Sequence, residues 1–396
     1  SGANSAHRCK LSSRKLTFNG SLGSLGTSLT YQAIQYIDDQ FWETISKHRV
    51  LAIFDEIHHC AGETLSDANA WGEQIILKVQ KASTYTLALT GTPWRSDSLP
   101  ISLSSYSNPE GKIVCDYQYT LKQAIIDKVC RKPKLVLVDN DQLQYTGPDE
   151  SKSYSSIQAL FKEQNISYSS ILQDKDALNH ILKLSVSKLL SIRASNQDAG
   201  GLIVASSVAH ARQIQTILNE QLKQPSVMVS YHDPDAQKII EKFKNGHSPW
   251  IISIGMISEG TDIPRLQVCC HLSNVRTELY FRQVLGRILR VSDGDNQEAW
   301  LYTLAEENLV KFAEEIEQDI PESCLYIKQP ENKEEEDAHS LETSSSHTVR
   351  TLAKPGDFKW NNSDTSVQIG NENPMPYRSF TLGHFRERVI EAFIGI

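Results

Sequence analysis

Val50-Leu51-Ala52-Ile53-Phe54-Asp55-Glu56-Ile57-His58-His59 runs five apolar residues straight into two carboxylates. A short run that is apolar at every position reads as a strand buried on both faces of a parallel sheet. Open α/β sheets place ligands beyond the carboxyl ends of their strands, which is where Asp55 and Glu56 stand. Asp55 suits a hydrated Mg²⁺, and Glu56, leaving the strand end in another direction, suits polarising a water. The same two acids also fit a strand that simply ends in solvent. His58, His59 and Cys60 do not read as a metal site, because consecutive side chains of an extended segment diverge.

Outward from this strand, short Val, Ile and Leu runs alternate with segments of helical period. Strands are expected at 50–54, 85–89, 135–138, 202–205, 227–230, 251–254, 268–272 and 300–304. Helices are expected at 33–45, 71–81, 121–129, 177–192, 209–222, 235–244 and 278–289. Strand and helix in alternation imply an α/β fold with parallel sheets. The alternation lapses over 139–170, rich in Ser, Asp, Gln and Tyr with a Gly147-Pro148 turn, which reads as the connection between two domains. It lapses again over 329–347, acidic and then Ser-rich, as a solvated linker would be. Beyond it, helical character returns only near 384–393. The expected organisation is a first domain over 1–139, a connection over 140–170, a second domain over 171–328, a linker over 329–350 and a further, incomplete region over 351–396.

With 396 residues, at roughly 150 per domain, two or three domains are expected. Hydrophobic residues are 39% and charged residues 22%, which is ordinary for a globular protein and excludes a disordered or fibrous chain. No apolar run approaches the ~18 residues of a membrane span. Seven scattered cysteines, an odd number that includes the adjacent Cys269 and Cys270, argue against a disulfide framework and for a reducing cytoplasm. The net charge of -8 at first argues against a nucleic-acid partner. Six acids against Lys333 within 329–347 account for -5 of it, so a local basic groove elsewhere is compatible with the rest. Residues 1–11 lack the pattern of a signal peptide, and Ser1 in place of Met reads as a processed or partial chain.

Three further stretches carry polar residues where a strand or helix would present them. Leu87-Ala-Leu-Thr90-Gly91-Thr92-Pro93 is a buried run entering small hydroxyl residues; alone it is a turn, and its weight comes from lying one helix after Asp55-Glu56. Ile254-Gly255-Met-Ile-Ser258-Glu259-Gly260-Thr261-Asp262-Ile263-Pro264 is a strand followed by a glycine-containing loop with Asp262 as acceptor. Its Gly-x-x-Ser-x-Gly spacing excludes a hydrolase elbow, which requires Gly-x-Ser-x-Gly. In Tyr280-Phe-Arg282-Gln283-Val-Leu-Gly286-Arg287-Ile-Leu-Arg290, helical spacing puts Gln283, Arg287 and Arg290 on one face and Val284, Leu285, Ile288 and Leu289 toward a core. Two guanidiniums on one face suit a phosphate, and equally a solvated basic face.

Taken in order, Asp55-Glu-Ile-His58, Thr90-Gly-Thr-Pro93, Ser258-Glu-Gly260-Thr-Asp262-Ile-Pro264 and Gln283-x-x-Gly286-Arg287-x-x-Arg290 resemble motifs II, III, V and VI of superfamily 2 helicases, the DEAD/DEAH-like nucleic-acid-dependent ATPases. The resemblance spans roughly 16–318. Thr27-Ser-Leu-Thr30-Tyr31-Gln32 resembles the segment before motif II that touches the nucleic-acid backbone, and Ala205-Ser206-Ser207 the start of motif IV. It implies two RecA-like domains with parallel sheets and a nucleotide cleft between them, with ATP and Mg²⁺ as cofactors. It also implies that Asp55 holds Mg²⁺ through water and that Glu56 is the base. His58, Thr90 and Thr92 would couple the nucleotide to the strand-binding face, and Thr30, Tyr31 and Ser206 would meet nucleic acid. Gly260, Asp262 and Gln283 would contact the nucleotide, and Arg287 and Arg290 would supply charge to its γ-phosphate. The Thr-Gly-Thr-Pro form looks more like the DNA translocases, repair helicases and restriction-type motors than the RNA-unwinding DEAD-box proteins.

No Gly-x-x-x-x-Gly-Lys-Ser/Thr loop occurs in the 396 residues, and the glycine run at 20–26 lacks the lysine and lies too near Asp55 to serve. The expectation is therefore a first domain truncated at its amino end, motif I missing, and a fragment that is inactive as an ATPase although its parent is an ATP-dependent DNA helicase or double-strand translocase. The alternatives are an RNA helicase, or a non-hydrolysing nucleic-acid-binding or motor part of a restriction or phage-defence assembly. In that last case a nuclease or other defence or repair subunit would be the partner.

Overall fold

The computed structural model describes residues 12–13, 27–34, 36–37, 39–62, 72, 75–95, 97, 99–147, 151–164, 166–255, 261–291, 298–318 and 379–394. Gly260, the 329–350 linker and most of 351–396 lie outside the described residues.

The first unit contains α1 (Asp39–Ser46), β1 (Leu51–Phe54) and β2 (Tyr85–Ala88); α2 (Leu121–Ile126) follows, its Leu121 and Ile125 packed against the core of the second unit. β1 and β2 pair in parallel, with Leu51 beside Tyr85 and Phe54 beside Ala88. The expected helix over 33–45 is divided into a short turn at Tyr31–Ile34 and α1, whose Asp39 suits the positive end of the new helix. Phe54 turns inward against Ile34, Ile57, Cys60, Ile75, Val79 and Ile101. The alternate residues face out: Ile53 is 59% exposed and Tyr85 58%. Burial of these two strands on both faces, expected from their composition, is therefore not seen among the described residues.

The second unit is organised on a seven-stranded sheet of β3 (Lys132–Asn140), β6 (Gly200–Ala205), β7 (Ser226–Ser230), β8 (Trp250–Ile254), β9 (Leu266–Leu272), β10 (Glu298–Leu304) and β12 (Phe385–Glu391). Its order is β7–β8–β6–β9–β10–β3–β12, parallel throughout except for β12. β6, β8 and β9 are buried along their whole length, as apolar runs in a parallel sheet should be. Helices α3 (Lys175–Arg193), α4 (Val208–Thr216), α5 (Ala236–Lys244), α6 (Glu278–Ile288) and α7 (Glu307–Glu314) lie between them in sequence. Asp174, Ser207 and Thr277 cap α3, α4 and α6, each side chain accepting from backbone N–H groups of the first turn. Parallel strands with helical crossovers and a wholly buried centre make this an α/β, RecA-like architecture.

Two expectations are corrected. Lys132–Asn140 does not close the first unit: Leu135 pairs with Leu301, and β3 is a strand of the second sheet. The connection expected over 140–170 is itself structured, as β4 (Leu143–Thr146), β5 (Ser151–Tyr154) and a helix at Ile157–Glu163, with β4 flanked antiparallel by β5 and β11 (Ser379–Leu382). The helical character near 384–393 is overridden as well. Phe385–Glu391 takes the open edge of β3, where hydrogen bonding to a neighbour decides conformation over local period. Arg386 on Asp139 and Glu391 on Lys134 anchor that edge with charge.

Among the described residues no helix is long and apolar enough to cross a membrane. Cys60, Cys115, Cys130, Cys269 and Cys270 are all free thiols. At the sheet centre, Gly201 leaves room for the Trp250 indole, which a Cβ there would meet at 2.2 Å. Gly201→Ala is expected to lower stability by ~1–3 kcal/mol through overpacking, measured by urea unfolding; an unchanged midpoint would show that Trp250 moves freely.

Candidate functional site

β1 ends at Phe54, and the chain then turns sharply because Glu56 adopts a left-handed backbone (φ 52°, ψ 49°). That region costs a non-glycine residue ~1–3 kcal/mol, and here it folds the 3-10 turn Ile57–His59 back beneath the strand end. Ile57 N–H donates to Leu89 O at 3.1 Å, which fixes the turn against the end of β2. Asp55 and Glu56 remain exposed, while His58 is buried. Tyr31 donates its hydroxyl to the Asp55 carbonyl at 2.7 Å and so braces the same strand end.

His58 Nδ1 lies 2.8 Å from Thr90 Oγ1, 3.4 Å from Thr92 Oγ1 and 3.3 Å from Glu56 Oε2. Thr90 Oγ1 in turn donates to Thr92 O and accepts from Thr92 N–H, both at 3.1 Å. With its own hydrogen given to Thr92 O, Thr90 Oγ1 is an acceptor toward His58, which assigns the imidazole hydrogen to Nδ1. Thr90 Oγ1, Thr92 Oγ1 and Glu56 Oε2 thus gather on one imidazole nitrogen, which holds the Glu56 turn beside the Thr90-Gly-Thr92 turn. Arg95 donates to the His58 carbonyl and holds Asp97 at 2.8 Å. Burial pushes the Cys60 thiol up to about 12, so it stays neutral beside this turn.

A second constellation forms on the other unit. Arg287 donates through Nη1 to Thr261 O at 2.8 Å, and Arg290 donates to the Asp262 carboxylate. Lys244 is 3.6 Å from the same carboxylate. The Arg290 guanidinium beside it holds the Asp262 carboxyl below its ordinary value. Gln283 and Arg287 are half-buried on α6, and Val284, Leu285 and Ile288 are buried beneath, as the helical spacing requires. The two units touch where Arg282 of α6 lies 5.5 Å from the Trp94 ring, two residues after Thr92.

The residues expected to meet nucleic acid are placed differently from one another. Thr30 is exposed, its Oγ1 accepting from Ala33 N–H at 3.2 Å, while Tyr31 is half-buried on the Asp55 strand end. Ser206 is held by its own helix, its Oγ 2.8 Å from Nδ1 of buried His210, whose imidazole burial pushes down to about 4. Among the described residues no three His, Cys, Asp or Glu side chains are grouped so as to hold a metal ion. The exposed carboxylates of Asp55 and Glu56 fit a hard cation that keeps most of its waters. Arg131 and Trp94 escaped the reading of the sequence. Arg131, between Cys130 and Lys132, looks like part of a solvated basic run yet is fully buried, and Trp94 looks like a turn residue yet is 4% exposed.

The helicase conserved C-terminal domain matches residues 182–292. An uncharacterized protein of Mycobacterium leprae (strain TN) is 30% identical over 298 residues, covering 74% of this chain and 49% of the relative. The chain thus spans about half the length of such curated relatives. The DNA 3'-5' translocase XPB2 of Sulfurisphaera tokodaii is 25% identical over 268 residues, covering 61% of this chain and 56% of the relative. Among solved structures, the ATP-dependent Type ISP restriction-modification enzyme LlaBIII bound to DNA aligns over 69% of this chain and 19% of its own, at 14% identity and a TM-score of 0.40.

Gly286 sits inside α6, where a Cβ would meet nothing within 4 Å. A glycine inside a helix costs ~0.5–1 kcal/mol relative to Ala, and no contact within the described fold requires it. Gly286→Ala is therefore expected to raise stability by about that amount in thermal unfolding. A fall in stability would show that the fold itself requires the glycine.

Proposed function

We propose that this chain, a superfamily 2 helicase-like protein of the nucleic-acid motor class, works in an ATP-dependent DNA helicase or double-strand DNA translocase. The observation that carries the proposal is the meeting of Glu56, Thr90 and Thr92 at His58 Nδ1, which brings a carboxylate at one strand end beside the turn after the next. A buried, hydrogen-bonded imidazole linking an exposed acid to a neighbouring turn does little for a strand that merely ends in solvent. It suits a site whose state must be felt elsewhere. The choice of DNA draws support from the relative named as a DNA translocase and from the Thr-Gly-Thr-Pro sequence at 90–93.

Each side chain then has a task. Asp55 offers carboxylate oxygens to a hydrated Mg²⁺, and Glu56, 3.3 Å from His58 Nδ1, accepts the proton of an attacking water. Bound ATP with Mg²⁺ supplies the phosphoryl bond whose cleavage drives the motor. Asp262 and Gln283 of the second unit would contact the nucleotide, the role also expected of Gly260 in the same motif. Arg287 and Arg290, engaged on Thr261 and Asp262 in this structure, carry the charge that a γ-phosphate would draw across. Thr30, Tyr31 and Ser206 are assigned to nucleic acid, and Tyr31 also braces the Asp55 strand end.

Hydrolysis also needs a phosphate cradle of backbone N–H groups and a lysine, and none of these 396 residues forms that sequence. The 396-residue chain on its own is expected to turn over ATP negligibly; robust DNA-stimulated hydrolysis, abolished by Glu56→Gln, would mean that the phosphate site is elsewhere. In a form of the protein that carries a phosphate loop, Glu56→Gln should lower turnover by ~10²–10⁴-fold with little change in nucleotide affinity. Asp55→Ala should weaken Mg²⁺-ATP binding itself, and equal binding defects in the two variants would refute this division of roles. Arg290→Ala should lower the maximal rate by ~10³-fold or more while DNA affinity holds. Weakened DNA binding with a shallower salt slope and intact hydrolysis would assign Arg290 to nucleic acid instead. Stimulation by single-stranded RNA in place of duplex DNA would select the RNA-helicase reading.

A further inference from the structure

The chain crosses residues 127–131 between the end of α2, whose Leu121 and Ile125 pack on the second unit's core, and the start of β3. At the last step of this crossing Arg131 is fully buried. Its Nη1 donates to Leu266 O at 2.9 Å, to Ile288 O at 3.1 Å and to Arg290 O, and its Nη2 donates to Pro264 O at 3.1 Å. Its backbone N–H donates to Leu289 O at 2.6 Å, and Cys130 bridges to Arg290. Burial pushes its guanidinium down to about 10, which leaves it charged at neutral pH.

These carbonyls come from two places only. Ile288, Leu289 and Arg290 form the carboxyl end of α6, where carbonyls lack intrahelical partners and the helix dipole favours a cation. Pro264 and Leu266 lie just after Thr261 and Asp262, the residues that hold Arg287 and Arg290. One planar fork thus joins the end of the arginine-bearing helix to the segment carrying its acidic partner. A lysine, as a point charge on a flexible stem, cannot span both.

We propose that Arg131 is a positioning residue: by gripping the end of α6 and the segment after Asp262 together, it sets Arg290 on Asp262 and fixes where Arg287 and Arg290 stand. This rests on the reading that those arginines serve a phosphate. It adds that the segment leading into β3 is fastened to them, through the Arg131 side chain and through the backbone at Cys130 and Arg131, so displacement of that segment is passed to the arginines.

The test follows Asp262, whose carboxyl reports on Arg290 and, more weakly placed, Lys244. Its titration is read by NMR in the carboxyl-labelled 396-residue chain, without nucleotide. Arg290→Ala should move it up toward the ordinary carboxylate value. Arg131→Met should move it nearly as far, Arg131→Lys part of the way, and Arg131→Met added to Arg290→Ala no further. A wild-type Asp262 titration in folded Arg131→Met or Arg131→Lys would overturn the proposal and leave Arg131 a fastener of the core. If neither variant folds, native-state hydrogen exchange of the unmutated chain decides. Amides of Asp262, Ile263, Leu289 and Arg290 opening as one unit support the grip, and independent opening of the two segments refutes it. Because no readout uses ATP, normal hydrolysis by Arg290→Ala would sink the proposed function alone.

Discussion

The hydrogen bond between His58 Nδ1 and Thr90 Oγ1, 2.8 Å across two adjacent parallel strands, is the contact on which the candidate site depends. It joins the turn that carries Asp55 and Glu56 to the hydroxyl of the next turn. With it, the turn after β1 and the turn after β2 cannot move independently, because the imidazole is buried and its Nδ1 is shared among Thr90, Thr92 and Glu56. The strain at Glu56 is the local cost of this arrangement. A left-handed residue at a strand end persists only where surrounding contacts hold it, and here Ile57 on Leu89 O and Tyr31 on Asp55 O do so.

The second unit solves a different problem. Its charged residues must be kept at the ends of a mostly apolar buried sheet without being drawn into it. Helix α6 does this by dividing its faces: Phe281, Val284, Leu285 and Ile288 are buried, while Gln283, Arg287 and Arg290 remain half-buried at the edge. Glu278 and Arg282 pair at 2.9 Å one turn apart, and the same Arg282 reaches Trp94 of the first unit. The helix that carries the arginines thus touches the first unit through Arg282 on Trp94, and the segment leading into β3 is fastened to its carboxyl end at Arg131.

Much of this was legible in the sequence because local pattern and final environment agree. All eight expected strands form, and the runs at 202–205, 251–254 and 268–272, apolar but for Ser253 and His271, lie in the buried centre of the second sheet. The convergence of His58 with Thr90 and Thr92 follows from adjacent strands ending side by side. What was not legible depends on partners rather than on period. Lys132–Asn140 and Phe385–Glu391 join a sheet whose open edge is formed by strands far away in sequence. Ile53 and Tyr85 have the composition of buried strand residues and yet face outward. Arg131 reads as surface charge between Cys130 and Lys132, because nothing in a lone arginine announces that distant backbone carbonyls will surround it.

The central claim is that the state of the Glu56 end is passed through His58 to the turn at Thr90. The most direct measurement is the ratio of duplex-DNA-stimulated to unstimulated ATP hydrolysis in Thr90→Val, made in a form of the protein that carries a phosphate loop. Valine keeps the shape of threonine and removes the hydroxyl that meets His58. A ratio that collapses toward one, with nucleotide and DNA each still bound, is the predicted result. A ratio equal to that of the unmutated protein would contradict the account, because stimulation would then travel by a route that does not use this hydrogen bond.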